Sequence, residues 1–207
     1  MEGFCKLPDN LILDATLSKW TKRTVSFAIL GALPGVTVEE QELAVRTACA
    51  FWPAVSGIEL VFTTNARTAD IRMGSGVIDR SGGTLAWSEL PNGADGPIKQ
   101  QYDTKDKWSP ALTRAGLSPG FIPLVVTCAH EVGHAIGLGH SRDPQALMFP
   151  SLNIEAWKPQ ADDIREAQLR YGPPVPGQPP PPPAGSLNAV QALAEIAAIM
   201  SRYNRAA

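Results

Sequence analysis

The 207-residue chain has only three histidines, three cysteines and no long apolar run. Each shortage excludes something. No stretch approaches the roughly 18 consecutive apolar residues of a membrane-spanning helix, so no transmembrane segment is expected. No basic run occurs and the net charge is −2, which argues against nucleic acid or an acidic membrane as partner. The opening, MEGFCKLPDN, lacks the apolar core of a secretory signal. The expectation is a shortened chain or a protein not exported by that route. An odd number of cysteines excludes a complete set of internal disulfides. Cys49 and Cys128 fall in helical patterns and read as small buried hydrophobes. Nothing in the sequence supports a bridge between them. What is present, 44% hydrophobic residues over 207 positions, suffices for one sizeable core.

Punctuation divides the chain. TVSFAIL (24–30) reads as a first strand, and residues 38–52 read as an amphipathic helix with Val38, Leu43, Val45, Ala48 and Phe51 among its apolar positions. Residues 58–64, 70–76, 83–90 and, more weakly, 98–104 read as further strands. A helix beginning near Pro123 runs LVVTCAHEVGHAIG and ends around Gly137, and ADDIREAQLRYG forms a last short helix. PPVPGQPPPPPAG (173–185) then holds 8 of the chain's 19 prolines, a semi-rigid polyproline linker. Residues 186–207 read as an amphipathic helix capped by Ser186. It either packs back on the domain or belongs to a further module.

All three histidines lie in HEVGHAIGLGH, residues 130–140. His130 and His134, four apart, share one face of a helix, one turn above the other. Gly137 can adopt a backbone conformation closed to other residues, so the chain can leave the helix and swing back. His140 then arrives as a third ligand. Zinc prefers a tetrahedral shell, and catalytic sites keep one position open for water. Glu131 stands beside the metal rather than on it, where a general base belongs. The pattern continues through several spaced positions, which makes it far more specific than a bare HExxH.

HEVGHAIGLGHS followed by ALMFP resembles the matrixins, the matrix metalloproteinase branch of the metzincins. Lys19 and Trp20, ADI (69–71), GGTLA (82–86) and DDI…YG (162–172) occur in matrixin order. The resemblance covers roughly residues 5 to 172. It implies an α+β fold: a twisted five-stranded mixed sheet with one antiparallel edge strand, three helices, and zinc in the cleft. It implies a zinc-dependent endopeptidase that hydrolyses internal peptide bonds by a zinc-activated water, with Glu131 as base. The alternative is a non-catalytic zinc-dependent peptide-binding module, which would need the histidines but not that carboxylate.

The resemblance also assigns residues. Met148 forms the floor beneath the zinc. Leu85 and Ala86 lie on the strand that pairs with an extended substrate. Val126 lines the primary specificity pocket, and Pro150 and Leu152 form its outer wall, favouring residues such as Leu, Met or Phe. Cys5, in CKLPD, matches the latency segment PRCGVPD at Cys5, Pro8 and Asp9, while Phe4 and Lys6 replace the arginine and glycine. Cys5 is either an inhibitory thiol on the zinc or an unconstrained N-terminal cysteine. Residues 1–9 would then be a latency-like segment and 10–172 the catalytic domain. Asp70, Asp103 and Asp106 match calcium positions, and the other reading is solvated loop acids. A second, structural zinc is not expected: Trp87 and Gln101 stand where histidines would, and the 71–82 stretch is short. Protein or peptide substrates, a monomer and an extracellular location follow from the same resemblance.

Overall fold

The structure, a computed structural model, describes residues 4–5, 18–111 and 116–175. Most of the proline-rich stretch, the helix expected over residues 186–207, and Pro8 and Asp9 lie outside the described residues. The chain order is β1 (Phe4–Cys5), β2 (Thr24–Leu30), α1 (Val38–Val55), β3 (Glu59–Phe62), β4 (Ile71–Gly76), β5 (Thr84–Ser88) and β6 (Ile98–Asp103). It continues with β7 (Lys107–Ser109), β8 (Phe121–Pro123), α2 (Leu124–Ala135) and α3 (Ala161–Tyr171).

Five strands form the expected mixed sheet in the order β5-β6-β4-β2-β3. All pairs within it are parallel except β5 with β6. Outside β5 the two-residue β1 adds a sixth strand, parallel, with Cys5 opposite Ala86. The antiparallel strand expected as a free edge is therefore covered at that point. β7 and β8 make a separate parallel pair that the alternation of apolar residues did not reveal.

α1 starts on a capping box: Thr37 accepts the Glu40 amide and the Glu40 carboxylate accepts the Thr37 amide. It continues past residue 52 through Pro53 to Val55, farther than the pattern suggested. Pro53 has no amide hydrogen to donate to the Cys49 carbonyl, and the helix ends two residues later at Val55. α1 and α2 pack against each other, and α3 closes on α1. The core between them is continuous and includes Trp20, Trp52 and Trp108, each 2% exposed or less.

α2 is the helix that positions the site, and it is buried on every side. β8 feeds directly into it, with Pro123 as the residue before its first turn. It ends where Gly137 adopts φ +96°. The Leu138 amide reaches the Gly133 carbonyl at 2.9 Å and the Gly137 amide reaches that of His134 at 2.8 Å, the two bonds of a Schellman stop. A side chain at 137 would be strained and would place its Cβ 2.6 Å from the Ser18 carbonyl.

Candidate metal centre

The Schellman stop turns the chain, and residues 138–140 bring His140 back over the two helical histidines. His130, His134 and His140 are buried, with ring centroids 4.7–5.5 Å apart. One ligand atom from each, together with the Cys5 thiol, lie within 4.8 Å of one another. Among the described residues this is the one group of His, Cys, Asp and Glu side chains that converges closely enough to hold a metal.

The donor chemistry fits a cation. Nδ1 of His130 lies 2.8 Å from the Leu147 carbonyl, and Nδ1 of His134 lies 2.8 Å from that of Leu138. A carbonyl can only accept, so both Nδ1 atoms carry the proton and both Nε2 atoms present lone pairs. Those Nε2 atoms stand 3.0 Å apart. Two lone pairs at that distance repel unless a cation lies between them. Tetrahedral zinc with bonds of about 2.0 Å would space its ligand nitrogens by about 3.3 Å. Burial pushes His130 down to about 4, against the raising effect of its Leu147 bond, and holds His134 well below its usual value. The rings therefore stay neutral, the form that binds metal.

Glu131 is 1% exposed. Burial pushes its carboxyl up to about 8, against a downward pull from a hydrogen bond with Cys5. Its Oε2 has no hydrogen-bond partner. A buried carboxyl next in sequence to His130, with one oxygen unpartnered, is a group available to act on a proton.

Met148 lies beneath. A Cβ on Gly133 would collide with the Met148 sulfur and come within 2.8 Å of Trp52, so only glycine lets the helix settle on this floor. The turn carrying Met148 is fastened by Asp163, which accepts the amides of Leu147 at 2.8 Å and Met148 at 3.0 Å. Burial raises the Asp163 carboxyl, partly offset by these bonds and one from Gln160. Leu147 in turn holds His130, so α3, the methionine turn and the first histidine form one chain of contacts. Asp163 belongs to the DDI triplet, whose residue types alone do not reveal this task.

The cavity beside the histidines, about 30 Å³, is lined by Cys5, Leu85, Val126, Pro150 and Leu152 among others. Leu85 and Ala86 sit on β5, buried, with Cys5 opposite Ala86. The wall also includes Thr127, Phe149 and Asn153, which no pattern had singled out. Thr127 Oγ1 bonds the Pro123 carbonyl at 3.1 Å.

The three aspartates do not gather. Asp70 pairs with Lys22 at 2.7 Å and accepts both the amide and the hydroxyl of Ser26 at 2.8 Å. Its burial favours the neutral form, but Lys22 and Ser26 outweigh it and the carboxyl is lowered. Asp103 accepts the amides of Ile78, Asp79 and Lys105. Asp106 accepts the Ser81 hydroxyl and the Gly82 amide, while its buried Oδ2 has no partner. Trp87 and Gln101, opposite each other on β5 and β6, are half-buried. Cys49 on α1 and Cys128 on α2 are buried, with their thiols hydrogen-bonded and burial holding Cys49 high, and no disulfide joins any cysteine among the described residues.

Similarity to known proteins agrees with this geometry. The chain is 32% identical over 183 residues to human (Homo sapiens) matrix metalloproteinase-20, covering 82% of this chain and 36% of that protein. It is 30% identical over 175 residues to the macrophage metalloelastase of Oryctolagus cuniculus, covering 79% and 36%. It is 32% identical over 143 residues to karilysin of Tannerella forsythia, covering 64% and 29%. The chain thus spans about a third of the length of these relatives. The matrixin family model matches residues 19–172, the stretch that contains the sheet, all three helices, the converging histidines and the methionine turn. On that match, and on a mixed sheet with three helices of metzincin type, the chain belongs to the matrixin family.

Proposed function

We propose that the protein is a zinc-dependent endopeptidase, with residues 10–172 as its catalytic domain and residues 173–185 as a linker to whatever follows. The observation that carries this is the buried Glu131 carboxylate beside the three converging imidazoles. A binding module would need the imidazoles alone. Zinc held by His130, His134 and His140 would supply a water with its pKa lowered from about 16 to about 7 and would polarise the scissile carbonyl. Glu131 takes the proton of the attacking water and delivers it to the leaving amine. Burial, opposed by the Cys5 hydrogen bond, pushes Glu131 up to about 8, and a neighbouring dication favours its charged form, so it operates close to neutral pH. The backbone of Leu85 and Ala86 binds an extended peptide by strand addition. Val126, Pro150 and Leu152 receive the side chain that follows the cleaved bond. Peptide substrates and an extracellular setting belong to this same proposal. No helix among the described residues is long and apolar enough to cross a membrane.

Calcium is a second cofactor reading, and it concerns Asp103 and Asp106 only. Its support is the buried, unpartnered Oδ2 of Asp106. Asp70 is already saturated by Lys22 and Ser26. Calcium binding there should raise the melting temperature of the zinc-loaded chain, and a melting temperature unmoved by millimolar calcium rejects it.

The test of the main proposal is hydrolysis of a quenched peptide library with and without a chelator, repeated with Glu131→Gln. Chelator-sensitive cleavage that Glu131→Gln abolishes, with zinc content unchanged, is the expected result. Zinc binding without any turnover in the parent chain would favour the binding module.

A further inference from the structure

α2 carries two histidines and Glu131, and four side chains grip its backbone carbonyls. Trp52 Nε1 holds Ala129 at 3.0 Å, Trp20 Nε1 holds Ala135 at 2.8 Å, and Tyr171 Oη holds Ile136 at 2.7 Å. The fourth is a primary amide from the sheet: Gln100 Nε2 donates to the Glu131 carbonyl at 2.8 Å. Gln100 is 2% exposed. It lies on β6 between Ile98 and Tyr102, in the alternation that faces inward. A buried amide in an apolar register is costly unless its bonds are made. Here they are. Nε2 also donates to Ser88 Oγ at 3.2 Å, and Oε1 accepts the Tyr102 hydroxyl at 3.1 Å. Ser88 is the cross-strand partner of Gln100, so the sheet register itself fixes the amide.

We propose that Gln100 is a positioning residue, one that sets the roll of the metal helix by holding the carbonyl of Glu131. The proposal rests on the endopeptidase reading for its catalytic consequence, though not for its geometry. At about 100° per residue, Ala129 and Glu131 face about 160° apart around the helix axis. Trp52 and Gln100 therefore grip nearly opposite sides. Apolar packing is non-directional and would tolerate a small rotation of the helix. A directed hydrogen bond on one side, opposed by another, does not. A rotation would carry His130, His134 and Glu131 together relative to His140, which lies on a different segment. The distances among the three rings thus depend on the roll that Gln100 fixes.

The test uses the full chain carrying Cys5→Ala, so that rates are read without the N-terminal thiol. Gln100→Met keeps length and bulk and removes the donor. It should lower kcat about tenfold or more with KM within about twofold, and weaken zinc by about tenfold or more, the range for partners that orient a metal site. The cobalt(II)-loaded chain should show shifted visible absorption bands, because they report ligand geometry directly. Tyr102→Phe frees the amide to turn and should act in the same direction more weakly. Added to Gln100→Met it should change nothing further, since both act through one bond. If Gln100→Met melts earlier but keeps kcat, zinc affinity and cobalt bands, Gln100 only supports the core and the proposal is wrong. If Gln100→Met does not fold, Tyr102→Phe decides: unchanged kcat and cobalt bands overturn the proposal. Zinc affinity and cobalt bands need no turnover, so a parent chain that cleaves nothing removes the endopeptidase reading while these two measurements still judge Gln100.

Discussion

His130 Nε2 and His134 Nε2 stand 3.0 Å apart, each ring held from behind by a backbone carbonyl at 2.8 Å. In that arrangement both rings are neutral. Burial lowers His130 from 6.5 to about 4 and holds His134 well below its usual value. Between those values the unfolded chain binds more protons than the folded one, so stability rises with pH across the window. The contribution is complete above 6.5 and is lost as pH falls toward 4. The metal-free chain should therefore show a urea midpoint that drops across this window. Saturating zinc should move the drop to lower pH, because metal and protons compete for the same nitrogens. A midpoint that stays flat across the window contradicts the neutral-imidazole assignment.

Metal stoichiometry follows from the same residues. All three histidines of the chain sit in one cluster. Elemental analysis of the purified chain should give about one zinc per molecule, removable by a strong chelator with loss of thermal stability. Two tightly bound zinc ions per chain would mean a site that the described side chains do not form.

Legibility differed by the kind of signal. The strands β2, β4 and β6 and the helices α1 and α3 could be read because alternation and 3.6-residue periodicity report burial directly. The histidines could be read because ligation by one helix face plus a return segment forces a fixed spacing, with Gly137 at the only backbone conformation that permits the return. Gln100 could not. A polar residue in a strand reads as outward-facing, and only its position between inward Ile98 and Tyr102 gave a hint. β7 and β8 were missed because three-residue strands have too few positions to show a period. Asp163 was visible within a family triplet, but its task depends on contacts with Leu147 and Met148, fifteen or more residues away. The contacts of Asp70 with Lys22 and Ser26, nearly fifty residues earlier, could not be read from its residue type.

Asp163→Asn should loosen the methionine turn. The Leu147 and Gln160 amides converge on Oδ2 and the Met148 amide on Oδ1. An asparagine must point an NH2 group at one of these donors and leave it unsatisfied. A loss of about 1–3 kcal/mol in unfolding free energy is expected, with weaker zinc binding through the Leu147 bond to His130. Denaturant melts and chelator competition measure the two effects. Parent-like values in both would show that this brace is dispensable.

Specificity should follow the cavity wall. At about 30 Å³ the cavity beside the histidines is small, and Val126, Leu147 and Leu152 make it apolar. Burying an unpaired charge there is costly. A cleavage profile should favour Leu and Met after the scissile bond over Asp, Glu, Lys and Arg. Leu152→Ala removes a half-buried wall residue without touching the histidines, and it should raise the ratio of Phe to Leu at that position. A parent profile dominated by charged residues, or a Leu152→Ala profile identical to the parent's, argues that another surface selects the substrate.

The Cys5 thiol lies within 4.8 Å of the three histidine ligand atoms and hydrogen-bonds Glu131, while its strand runs parallel to β5 opposite Ala86. On the endopeptidase proposal, thiol and backbone would thus block at once the open position on a zinc held by the three histidines and the β5 edge offered to substrate. A thiolate tethered this closely competes at high effective concentration. The full chain should therefore be slow, and Cys5→Ala, removal of residues 1–9 or treatment with a mercurial should each raise its rate by about tenfold or more. Phe4 and Lys6 replace the arginine and glycine of the usual latency segment, so the cap should be weaker than one braced by an arginine–aspartate pair. A pH profile alone does not decide the matter, because the zinc histidines protonate in the same direction as the thiolate. Covalent and genetic removal of the thiol do decide it. If Cys5→Ala and the shortened chain both cleave a reporter peptide at the parent rate, and mercurial leaves the parent unchanged, then Cys5 does not restrain this site.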